Sequence, residues 1–179
     1  MNDKYRSPDP QAEVLGRNIQ LILDALHMPL QAQALLQRHG LPTAPDPAAW
    51  YPWQAWLDVL AEMEATYGGQ TLYAAGLQSV THSLWPPHLH TLHEALQALD
   101  EAYHTNIRGR DLGYYRTEGL GLRAVRVVCD TPNPLDFDFG IITGLARKFK
   151  PLGALRMRVE PENTPAGSRP TLKWFVVSW

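Results

Sequence analysis

The run TLHEALQALDEAYHTNIRGRDLGYYRTEGLGLRAVRVVCD, residues 91–130, decides the fold. In its first part Leu92, Leu96, Leu99 and Tyr103 recur at helical spacing, continuing a stripe that begins at Leu89. Past Gly109 the apolar period drops toward 2, and Val125, Val127 and Val128 are β-branched, which suits a pleated, half-buried surface. A helical half therefore precedes a sheet half.

Working outward, helices are expected over Gln11–Leu26, Pro29–Arg38, Pro52–Tyr67, Thr71–Val80 and Pro87–Asn106. Strands follow over Gly113–Glu118 and Leu122–Asp130, joined by a turn at Gly119-Leu120-Gly121. Leu135–Lys148 reads as a helix, with Asp136 and Asp138 in its first turns and Arg147 and Lys148 at its end, as the helix dipole favours. Leu155–Glu160 alternates as a strand. Thr171–Trp179 is apolar on both faces and so belongs at a central or doubly covered position. The expected class is α+β: N-terminal helices on a C-terminal, mostly antiparallel sheet of about four strands with one inserted helix. Residues 1–10 read as a flexible tail and 11–179 as one domain, with a helical half at 11–106 and a sheet half at 112–179.

Composition narrows the function classes. The chain has 179 residues, 45% apolar and 19% charged, with one cysteine and six tryptophans. No apolar run is long enough to span a membrane, and the start has no signal-like apolar segment, so a cytoplasmic protein is expected. A single cysteine, Cys129, excludes an intrachain disulfide and reads as a small core residue. Charge is uneven: residues 1–104 carry 4 Lys/Arg against 11 Asp/Glu, and residues 105–179 carry 12 against 7. The sheet half holds Arg108, Arg110, Arg116, Arg123, Arg126, Arg156, Arg158 and Arg169. With no nucleic-acid motif and a net charge of −2, these read as a solvated or protein-contacting face, not a nucleic-acid site.

No catalytic motif stands out. Gly-x-Ser-x-Gly, phosphate loops and dinucleotide fingerprints are absent, and a non-enzymatic protein is expected. His88, His90, His93 and Glu94 are dense in metal-ligand types, and on one helix His90 and His93 would share a face. A metal site at His90 and His93, or a haem held by one histidine of 82–104, is the minor alternative to a solvated helix face. The tryptophans are the stronger lead. Trp53, Trp56, Trp85 and Tyr103 suit an apolar core and the wall of a small-molecule pocket alike.

The stretches Leu92–Leu96, Leu99–Tyr103, Arg108–Tyr115 and Pro132–Ile142, with the closing Trp179, resemble small bacterial proteins related to the ligand-binding fold of nitric-oxide signalling and Golgi transport. That fold includes haem-nitric-oxide-binding sensors, 4-vinyl-reductase-like domains and TRAPP components. The resemblance implies helices on a twisted antiparallel sheet, and a sensory or ligand-binding module that self-associates or meets a protein partner. A ligand-free interaction scaffold is the second reading. Relatives carry a cysteine pair near the last strand, whereas residues 161–170 here have none. No position matches the haem sensors' axial histidine or propionate-binding motif, so haem is not carried over to any residue.

Overall fold

Strand β5 (Ala124–Asp130) and strand β7 (Leu172–Ser178) form the middle of the main sheet. Their antiparallel register sets Val125 opposite Val177 and Val127 opposite Phe175, so the β-branched and aromatic positions of both strands face one core. Strand β4 (Tyr114–Gly121) adds to β5 and strand β6 (Arg158–Glu162) adds to β7, giving the order β4-β5-β7-β6, antiparallel throughout. Helix α7 (Leu135–Lys148), inserted between β5 and β6, lies over the inner face, where Phe139 stacks on Phe175 at 5.8 Å. This is the expected α+β arrangement in a computed structural model that describes residues 5–26 and 28–179.

The helical half consists of α1 (Gly16–Ala25), α2 (Pro29–Arg38), α3 (Trp53–Tyr67), α4 (Gly69–His82), α5 (Leu92–Gln97) and α6 (Leu99–Asn106). Helix α4 crosses α7 at glycines. A Cβ on Gly140 would fall on the carbonyl oxygen of Tyr73, and one on Gly76 on that of Phe137. Only glycine lets these backbones approach so closely. The joint ties the helical half to the sheet.

Several boundaries differ from expectation. Three short strands form a second sheet in the order β2-β1-β3: β1 (Glu13–Leu15), β2 (Trp50–Pro52) and β3 (Ile107–Arg108). The first helix consequently starts at Gly16 and not Gln11, because Glu13 is drawn into pairing with Arg108, whose Nε donates to Glu13 Oε2 at 2.6 Å. Such long-range partners leave no local pattern. The hairpin turn lies at Leu122-Arg123, with Gly119–Gly121 inside β4 across a bulge. Strand β6 begins at Arg158, leaving Leu155 exposed. On the outer face of β7 the Arg126 guanidinium sits 4.6 Å above the Trp174 ring. Of the expected tail, Met1–Lys4 lie outside the described residues. Tyr5, Ser7 and Asp9 are buried instead of free, with Tyr5 Oη donating to Glu64 and the Ser7 amide to Gln54.

The expected helix Pro87–Asn106 is two helices. Thr91 caps α5 in a capping box: its Oγ1 accepts the Glu94 amide, while Glu94 Oε2 accepts the amides of His90 and Thr91. His90 is therefore outside the helix. The helical face expected for His90 and His93 does not form, and the Glu94 carboxylate is occupied by backbone.

Candidate functional site: an aromatic cavity between the helices and the sheet

A cavity of about 60 Å³ lies where α1, α3, α4, α6 and α7 meet β4. Its wall is largely apolar and aromatic, with Trp56 from α3, Tyr103 from α6, Tyr115 from β4, Phe137 from α7 and Trp85 from the α4–α5 connection. Phe137 is held edge-on to Trp56 at 6.1 Å, and Tyr103 edge-on to Tyr115 at 5.2 Å.

Two polar networks hold this wall. In the first, Asn106 Nδ2 donates to the carbonyls of Ala102 and Leu84, and its Oδ1 accepts the Leu84 amide and Asn18 Nδ2. Ser83 Oγ donates to Asn18 Oδ1 at 2.8 Å. These bonds pin the chain just before Trp85, whose indole N–H donates to the Val80 carbonyl at 3.0 Å. Trp85 is half-buried and forms the outermost part of the wall.

The second network is buried behind Tyr115. Asp138 is wholly buried on α7 and faces Lys173 on β7, with Nζ 2.6 Å from Oδ2. Lys173 also donates to Thr131 Oγ1 and to the carbonyls of Thr131 and Asn133. Asp138 accepts from Tyr115 Oη at 2.6 Å, Asn133 Nδ2 at 3.0 Å and Thr131 Oγ1 at 2.9 Å. This orients Asn133. Its amide nitrogen must face the carboxylate, so its Oδ1 is left buried without a hydrogen-bond partner on a residue that lines the cavity.

Burial, and then the Asp138 charge, push the phenols of Tyr103 and Tyr115 well above the ordinary tyrosine range. Both are neutral donors: Tyr103 Oη donates to the Leu112 carbonyl at 2.7 Å. Burial likewise raises the Cys129 thiol, so it is an inert core residue.

Of the four aromatic residues singled out in the sequence, Trp56, Trp85 and Tyr103 line the cavity. Trp53 stands behind the wall, edge-on to Tyr103 at 6.2 Å, and is fully buried. His90 and His93 are not part of the lining, and His93 Nε2 takes a bond with the Gln97 amide. Among the described residues no group of three or more His, Cys, Asp or Glu is placed to hold a metal ion. Sequence reasoning gives Asn133 and Lys173 no role at this site, and weighs Asp138, with Asp136, as an acidic pair against the preferred reading of complementing a helix dipole. Lys173 does carry a signal, since it lies in phase with Phe175 and Val177 on the buried face of β7.

No protein-family model matches the sequence, and no curated protein matches it. Among solved structures the fold is that of H-NOX domains. One, from a study of heme distortion in the H-NOX family, is 19% identical, with TM-score 0.67 over 90% of this chain and 89% of its own. Another, from work on the molecular mechanism of H-NOX activation, is 19% identical, with TM-score 0.63 over 90% and 91%. An oxygen-binding H-NOX domain related to soluble guanylate cyclases is 16% identical, with TM-score 0.61 over 90% and 89%. At this identity the likeness establishes a shared fold.

The cavity wall does not fit a haem. Among the described residues no histidine, cysteine or methionine lines it. The two tyrosines that do are held as neutral donors, not phenolate ligands. His104 follows Tyr103 on α6 but turns outward, with Nδ1 donating to the Asp100 carbonyl at 2.9 Å. The volume is also below the roughly 150 Å³ that accepts a single benzene ring.

Proposed function

We propose that this chain is a non-catalytic sensory module that binds a small, neutral, mainly apolar molecule carrying one hydrogen-bond donor. The carrying observation is Asn133, a residue of the largely apolar cavity wall whose Oδ1 is a buried acceptor without a partner. Leaving such an atom unmet costs about 1–3 kcal/mol, which a ligand donor recovers on binding. The H-NOX fold, with one neighbour from a study of heme distortion and another described as oxygen-binding, supports a ligand-binding role. A ligand other than haem is proposed because no iron ligand lines the wall among the described residues. A non-catalytic role is supported by the site chemistry: Asp138 and Lys173 satisfy each other, and Cys129 is buried.

At about 60 Å³ the chamber takes a molecule of a few heavy atoms. A larger one enters by displacement of Trp85, the half-buried part of the wall. Native mass spectrometry of the gently purified protein tests this. A bound small-molecule mass is expected, and Ala102→Leu, which fills the chamber from α6, should abolish it. The same mass retained by Ala102→Leu, or none in the unmodified protein, would overturn the reading.

A further inference from the structure

Half of the twelve cations of the sheet half are paired with carboxylates. Arg108, Arg110, Arg116, Arg126, Arg169 and Lys173 each face a carboxylate. Arg123, Lys150, Arg156 and Arg158 are exposed and have no carboxylate partner among the described residues, and all four lie in two loops or at their edges. Residues 140–159 contain no Asp or Glu at all. Arg147 and Lys148, in the last turn of α7, extend the positive surface.

The same two loops carry the most exposed large apolar side chains of the described residues. Leu122 is 100%, Leu152 107% and Leu155 96% exposed, with Leu120 beside them. The loops are neighbours. Ala124 of β5 and Arg158 of β6 both pair with Ser178, and the Trp179 amide donates to the Arg123 carbonyl at 3.0 Å. The hairpin tip 120–123 and the loop 149–157 therefore flank one end of β7.

We propose that this end of the sheet docks on an anionic membrane surface. The unpaired cations call for an anionic partner. The leucines stand nearly fully exposed on loop tips, so they suit a partner that needs no shape complementarity. Leucines would enter the headgroup boundary while arginines and lysines keep their charges at the phosphates. The aromatics at this end, Phe149 and Trp179, are half-buried against the core and are not presented as the stacking platforms an RNA surface would use. No helix of the described residues is long and apolar enough to cross a membrane.

Co-sedimentation of the full chain with phosphatidylcholine vesicles, with and without about 30% phosphatidylserine, tests this at two salt concentrations. Binding is expected only with phosphatidylserine, at least about tenfold stronger than without it, and weakened by salt. Leu152→Ser/Leu155→Ser, which leaves the charge unchanged, and Arg156→Glu/Arg158→Glu should each lower binding about tenfold or more. Circular dichroism confirms that both fold, and because the side chains are exposed their melting points should match the parent. Equal binding to both vesicle types, no binding, or full binding by either variant would overturn the proposal. So would a preference for a single-stranded oligonucleotide over the vesicles, or a dimer in solution that the leucine variant dissociates.

Discussion

Replacing Lys173 by Met should cost the fold about 3–5 kcal/mol, the range for removing one partner of a buried ion pair. Nζ makes three hydrogen bonds of 2.7–3.0 Å besides its 2.6 Å contact with Asp138. Methionine fills much of the same stem volume, so little of the cost is cavity. It leaves the carbonyls of Thr131 and Asn133 without a donor, at about 1–3 kcal/mol each. It also leaves the Asp138 carboxylate, wholly buried, with only the neutral donors Tyr115, Asn133 and Thr131. At about 2–4 °C per kcal/mol for a domain of this size, the melting point should fall by roughly 6–20 °C. Urea unfolding followed by circular dichroism measures the free energy. Adding Asp138→Leu should cost less than the sum of the two single changes, because the second removes the stranded charge. A Lys173→Met protein within about 1 kcal/mol of the parent, or strictly additive costs, would refute the reasoning that this pair holds the wall behind Tyr115.

Other outcomes follow from the same structure. Tyr103 and Tyr115 have folded-state pKa values raised by burial, so their contribution is fully present below the unfolded value of about 10 and is lost as pH rises beyond it; ultraviolet titration should show two tyrosines that ionise only with alkaline unfolding. Gly140→Ala drives a Cβ into the Tyr73 carbonyl and should cost about 1–3 kcal/mol or more by thermal melting, whereas Gly119→Ala, with open space around it, should be close to neutral. Titration with hemin should give no saturable one-to-one Soret band; a stoichiometric band would show that the wall rearranges to supply an iron ligand.

The parts of the fold legible in the sequence are those fixed by local periodicity. Pro29–Arg38 and Leu135–Lys148 begin and end where their stripes and end-signals place them, and β7 takes the central position its two apolar faces require. What escapes depends on partners distant in the chain. Glu13 pairs with Arg108, 95 residues away, so β1 looks like the start of a helix. The long helix breaks at Thr91 because the Glu94 side chain turns back to cap the backbone, and a reading that follows only the leucines places His90 on a face that does not exist.

The site divides in the same way. Aromatic residues at helical spacing suit core and wall alike, and the structure places Trp56, Trp85 and Tyr103 on the cavity and Trp53 behind it. Asp138 reads in sequence as a dipole-complementing residue of a first helical turn. Its burial opposite Lys173 arises only when α7 is laid on β7. Asn133 reads as part of a turn between prolines, and its unpartnered oxygen appears only once Asp138 has taken its amide nitrogen.

The proposed chamber selects a small neutral ligand through that oxygen. Calorimetric titration with pyrrole and with furan tests this; these are five-atom rings of nearly equal shape that enter by displacement of Trp85, and only pyrrole carries an N–H donor. Pyrrole should bind about tenfold or more tightly than furan, as expected for meeting one buried acceptor, and Ala102→Leu should abolish both. Equal affinities, or binding that persists when Ala102→Leu fills the chamber, would contradict it.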